Sequence, residues 1–261
     1  MRSKTSESLR VRRQTWFNSW FNLASPQNFF PIAGKMIPWF TACAAILMLI
    51  GLYIGFFVAP TDFQQGDAYR IIFLHVPAAW MSMVIYLAMA FWAVIGLIFN
   101  TRLSSMMASA LAPTGAILTF LALATGSIWG KPTWGTWWVW DARLTSELIL
   151  LFLYFGFIGL QSAIDDPRRA DKAGAVLLIV GVINIPVIYF SVQWWNTLHQ
   201  GSSINMKNGS SMAATMLVGM LIMALAFWAY SIAMALLRVR YIILERERQS
   251  NWVKAHWETM Q

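Results

Sequence analysis

Six apolar runs, at 37–58, 78–99, 106–127, 144–164, 174–190 and 212–236, constrain this chain more than any other feature. Crossing about 30 Å of hydrocarbon takes about 20 apolar helical residues, because a helix pairs its own backbone polar groups where no water can. The runs lie near that length. They predict an all-α polytopic membrane protein, a bundle of six transmembrane helices with short connections. Composition agrees: 58% of residues are hydrophobic and only 11% charged, too little charge to cover a surface in water. Pro113 and Pro186 fall inside the third and fifth runs, where a membrane span tolerates a kinking proline. The basic start of the chain shows no evident cleavage site after the first run, so that run reads as a retained helix. Cys43 is the one cysteine, which excludes an intrachain disulfide and a cysteine metal cluster.

Charge orients the bundle. Arg2, Lys4, Arg10, Arg12, Arg13 and Lys35 precede the first run. Arg102 lies in the second connection, and Arg168, Arg169 and Lys172 in the fourth. Arg238, Arg240, Arg246, Arg248 and Lys254 follow the last run. The opposite side keeps only Arg70, Lys131, Arg143 and Lys207 of the 19 basic residues. By the positive-inside rule both termini are cytoplasmic and the first, third and fifth connections face outward. The formal +8 then reads as topology and contact with membrane lipid, not as nucleic-acid binding. Three segments follow from this: a cytoplasmic tail at 1–36, a six-helix domain at 37–236 and a cytoplasmic tail at 237–261. Trp16, Phe17, Trp20 and Phe21 share one helical face in the first tail and predict a helix lying in the membrane interface.

The unusual residues gather in the outward connections. The first, 60–77, carries Arg70 and His75, the latter just before the second helix. The second, 129–141, carries Trp129, Trp134, Trp137, Trp138, Trp140 and Asp141. The third, 191–211, carries Trp194, Trp195 and His199. An interfacial aromatic belt scatters tryptophans over all helix ends; here they crowd one segment. Gly130, Pro132 and Gly135 are expected to break regular structure there and to let indole faces lie side by side, a platform for a flat apolar ligand. Asp141 is placed to cap the fourth helix. His75 and His199 are either hydrogen-bonded structural residues or the two axial ligands of a haem iron. His256 reads as a solvated residue of the tail. No histidine pair at helical spacing and no carboxylate cluster offers a competing metal site. Arg70 and Arg143 suit haem propionates, Lys131 less so; Arg143 suits equally a local pair with Asp141 or Glu147.

The stretch Trp129-Gly130-Lys131-Pro132-Thr133-Trp134-Gly135-Thr136-Trp137-Trp138-Val139-Trp140-Asp141-Ala142-Arg143-Leu144-Thr145-Ser146 resembles the tryptophan-rich WWD signature of the haem-handling proteins. With six runs and the flanking His75 and His199, the chain is similar to the family of cytochrome c maturation protein C, also called haem exporter protein C. The resemblance is strong over 60–201 and covers the whole helical core in layout. It implies system I biogenesis of c-type cytochromes in the bacterial inner membrane. It implies haem b, held non-covalently at the periplasmic face by axial His75 and His199 and by Trp129, Trp134, Trp137, Trp138, Trp140 and Asp141. The implied partners are a periplasmic haem chaperone, an ABC-type ATPase with its membrane subunit, and a small single-span subunit. The implied role is haem delivery and not catalysis, and since nothing resembles a nucleotide-binding Gly-rich loop, ATP hydrolysis is expected only in a partner. Two alternatives stand beside this reading. One is a haem lyase attaching haem to apocytochrome, which tends to be longer. The other is a transporter carrying haem across the bilayer, which favours polar residues along its spans.

Overall fold

A computed structural model describes residues 25–199, 204–205, 209–210 and 212–258. The expected interfacial helix around Trp16 and Trp20 lies outside them. The described chain is almost entirely helical. In order it forms α1 (Pro26–Tyr53) with a terminal π-turn (Ile54–Val58), a 3-10 turn (Asp67–Ile71), α2 (Ile72–Phe99), α3 (Arg102–Trp134), α4 (Ala142–Ala163), α5 (Pro167–Gly181), α6 (Asn184–Trp194), a two-residue hairpin of β1 (Ile204–Asn205) and β2 (Gly209–Ser210), α7 (Ala214–Arg246) and α8 (Asn251–Glu258). Six helical segments are long and apolar enough to cross a membrane, α5 and α6 together making the fifth. The predicted six-helix bundle is therefore the observed fold.

The helices outrun the apolar runs. The first begins at Pro26, not at residue 37, with Pro26 in its first turn, where the missing N–H costs nothing. The last continues to Arg246, so Arg238, Arg240 and Arg246 extend a span instead of opening a tail. Hydrophobicity marks the stretch facing hydrocarbon, whereas backbone pairing carries a helix on into the polar interface. The fifth span is the exception, because it breaks. Val182 and Ile183 bond back only to Ile179 and Val180. Pro186 sits four residues after Val182, where its ring denies that carbonyl a helical partner; Ile185 N–H takes it instead at 3.0 Å.

Alternating spans bring the start of α2, the end of α3, the start of α4 and the end of α6 to one end of the bundle. At the core, Tyr86 and Tyr154 meet edge to face with centroids 5.4 Å apart, and Tyr154 donates to the Ser82 carbonyl at 2.7 Å. α1 packs along α7, where Gly51 leaves room for Met223: a Cβ there would lie 2.6 Å from its sulfur. Small residues let membrane helices approach in this way. At the far, basic end, Arg246 pairs with Asp171 at 2.9 Å and Arg102 with Glu247 at 2.7 Å.

Candidate functional site

The tryptophan segment is only partly a loop. α3 runs on through Gly130 and Pro132 and stops at Gly135, whose φ of 79° lets the chain turn, a conformation open to glycine. Trp129 and Trp134 are therefore helical, contrary to the expectation that Gly130 and Pro132 break the segment. Pro132 loses one hydrogen bond in a final turn that other groups secure: Thr133 Oγ1 donates to Trp129 O at 2.8 Å, and Gly135 N to Lys131 O at 3.1 Å. The chain then folds back, and Ser127 Oγ donates to Trp137 O at 2.7 Å.

The indoles do not lie side by side. Trp138 and Trp140 meet at an interplanar angle of 76°. Trp137 and Trp140 are 56% and 77% exposed, while Trp129 and Trp134 turn toward the histidines. Trp129 packs edge-on to His75 with centroids 5.6 Å apart, held by its Nε1–H bond to Gln65 at 2.7 Å. Trp134 lies 5.1 Å from His199. Gln65 carried no signal of this role in the sequence.

His75 is inside α2, not before it, and buried. Its Nδ1 lies 3.0 Å from Ala122 O and 3.1 Å from Thr125 Oγ1. A carbonyl only accepts, and the Thr125 hydroxyl already donates to Leu121 O at 2.6 Å. Nδ1 must then carry the proton, which leaves Nε2 with a free lone pair. His199 faces His75 with ring centroids 6.3 Å apart. Burial, and after it the Arg143 charge, lowers the His199 pKa to about 4, against a weaker opposite pull from Asp141. It is neutral at physiological pH.

Asp141 fulfils its expected capping role and a second one. One carboxylate oxygen accepts from Leu144 N at 2.8 Å. The other accepts from the Thr197 hydroxyl, which in turn accepts from His199 N at 3.1 Å. Asp141 thus ties the tryptophan segment to the third connection. Arg143 makes no ion pair with Asp141 or Glu147 among the described residues; it donates to Ile188 O at 2.9 Å. Arg70 is engaged elsewhere, with Asp67 at 3.0 Å and with the carbonyls of Gly55 and Ala59 at the end of the first span. Lys131 Nζ turns back to Gly135 O at 3.1 Å.

Between these groups lies a narrow cleft with a cavity volume of about 30 Å3. His75, His199, Arg143, Gly126 and Glu147 line it. Glu147 is buried and accepts from Ser82 Oγ at 2.8 Å. A second cleft adjoins it, lined by Trp134, Trp137, Trp138 and Leu198, with Gly126 and Leu144 shared by both. Two buried polar atoms here lack a partner among the described residues, Trp138 Nε1 and His199 Nδ1.

Residues 19–254 match the model of the family described as "Heme exporter protein C". The chain belongs to that family. The "Heme exporter protein C" of Escherichia coli strain K12 is 48% identical over 88% of this chain and 93% of its own length. That of Bradyrhizobium diazoefficiens is 47% identical over 88% of this chain and 87% of its own. A ccmC-like mitochondrial protein of Marchantia polymorpha, named for cytochrome c biosynthesis, is 46% identical over 76% of this chain and 84% of its own. The family matches the resemblance read from the tryptophan signature, and the matched residues span the whole described bundle.

Proposed function

We propose that this chain is a haem-binding, non-enzymatic membrane subunit of system I cytochrome c maturation. In this reading it holds haem b non-covalently at the periplasmic face of the inner membrane and hands it to a periplasmic haem chaperone. An ABC-type ATPase, its membrane partner and a small single-span subunit complete the assembly, and ATP is used only in the partner. The concentration of basic residues at the other end supports the periplasmic placement and cytoplasmic termini.

The observation that carries the reading is the pairing of His75 and His199 across a cleft, 6.3 Å between ring centroids. That separation admits one metal bonded to both rings, at about 2 Å per metal–imidazole bond. Both imidazoles suit iron: the first by its hydrogen-bonded Nδ1, the second by being neutral. The donor set otherwise fits haem. Arg143 lies at the cleft to meet a propionate, Trp129 and Trp134 flank the histidines, and the unpartnered Trp138 Nε1–H is a donor awaiting an acceptor, rare in a protein interior. Asp141 holds His199 in place through Thr197, and the exposed Trp137 and Trp140 offer ring surface at the mouth. At about 30 Å3 the cleft is far smaller than ligand sites of roughly 300–1,000 Å3, so a porphyrin enters only by displacing the tryptophan segment outward from between the two rings.

The test is the absorption spectrum of the purified protein. The parent is expected to carry low-spin haem, and a His75→Ala/His199→Ala double variant to lose it. An unchanged low-spin spectrum in the double variant sinks the assignment.

A further inference from the structure

His75 and His199 are held in unlike ways, and the difference falls on the hydrogen bonding of their ring nitrogens. His75 rises from a helix, and both acceptors of its Nδ1–H, Ala122 O and Thr125 Oγ1, belong to α3. Two spans therefore fix one imidazole in tautomer and direction. His199 lies past the end of α6. Its hold is through the backbone: its N–H donates to Thr197 Oγ1, itself bonded to Asp141. The His199 Nδ1 is buried and finds no acceptor among the described residues. An imidazole whose second nitrogen donates to an acceptor is oriented and made more basic as a metal ligand; one lacking that acceptor is neither.

We infer that the two histidines are unequal ligands, His75 fixed and His199 exchangeable, so that the iron face opposite His75 is the one that opens to an incoming nitrogen donor. The inference rests on the two-histidine reading above. The exchange is a substitution: the bond from iron to His199 breaks and a bond to the incoming neutral imidazole forms. No electron moves and no proton is taken up or released. The Asp141–Thr197 contact is the latch, since through it the His199 backbone is hydrogen-bonded to the end of the tryptophan segment. A subunit that must surrender its cargo needs one firm and one yielding ligand on opposite faces, and this site is built that way.

Two measurements on the purified full-length protein test it. First, His75→Gly and His199→Gly variants are loaded with haem with and without free imidazole. Imidazole is expected to restore the low-spin spectrum of His199→Gly and not that of His75→Gly; equal rescue, or rescue of His75→Gly alone, overturns the inference. Second, carbon monoxide is added to the reduced protein. Thr197→Val is expected to bind it roughly 10- to 100-fold more tightly than the parent, the usual size of an outer-shell effect on a ligand, with Thr197→Ser near the parent. Thr125→Val is expected to move the iron–carbon vibration of the adduct, because His75 stays on the far side of the iron. A vibration moved by Thr197→Val and untouched by Thr125→Val overturns the inference even where the glycine variants do not fold. If both glycine variants keep the parent spectrum without imidazole, the two-histidine reading itself has failed.

Discussion

Gly126 gives the His75 imidazole its place: a Cβ on residue 126 would stand 3.0 Å from the ring's Cε1. The contact joins α3 to α2 beside the cleft that both residues line. One methyl group there forces the ring to shift against the hydrogen bonds that orient it. Gly126→Ala is expected to keep the bundle folded and lower the haem-to-protein ratio of the purified protein. A variant with full haem content would show that the ring has slack.

Asp141 serves a helix and a loop at once, so its variants separate the two. Asp141→Ala removes the cap of α4, worth about 0.5–2 kcal/mol, together with the Thr197 contact. Asp141→Asn keeps a capping oxygen. Thermal unfolding in detergent is expected to fall for alanine and recover largely for asparagine. Haem retention is expected to follow the same order.

Trp129 touches His75 by its ring and Gln65 by its N–H. Trp129→Phe keeps most of the ring contact and loses the hydrogen bond. Gln65→Ala loses only the bond. Both are expected to weaken haem retention modestly and alike, read from the spectrum after gel filtration. A large loss in Trp129→Phe with none in Gln65→Ala would place the whole effect in the indole itself.

His199 predicts a pH dependence. Its pKa is lowered from 6.5 to about 4, so the folded protein binds fewer protons than the unfolded chain between those values. Its contribution to stability is full above about pH 6.5 and is lost as pH falls toward 4. Haem-free protein is expected to lose stability over that window, and His199→Gln to lose less. Unfolding midpoints in detergent at pH 7, 5.5 and 4.5 compare the two. Curves that stay parallel would show that His199 does not titrate on unfolding.

The sequence made the six spans legible because lipid demands long uninterrupted apolar runs, a signal carried by each segment alone. The Asp141 cap was legible for a similar reason: it depends on three neighbouring residues. Helix ends were not. α3 runs on to Trp134 past Gly130 and Pro132, since a final turn stabilised by Thr133 and Gly135 outweighs local breakers. The partners that cross between spans were hidden too. Glu147 with Ser82, Arg143 with Ile188 O and His75 with Thr125 all depend on how each helix is rotated about its axis, which hydropathy averages away. Arg70 had the charge for a propionate but spends it on the carbonyls that end the first span.

The tie from Asp141 to Thr197 has a consequence for how the protein is made. The two residues stand on opposite sides of α4, α5 and α6, so they meet only after the chain has crossed the membrane twice between them. His75 likewise waits for α3 to supply Ala122 and Thr125. The site is thus completed from the His199 side, and a chain stalled before α6 is inserted holds one oriented imidazole and not two. On the two-histidine reading, haem content in a membrane preparation is therefore expected to count chains inserted through their fifth span rather than total chains.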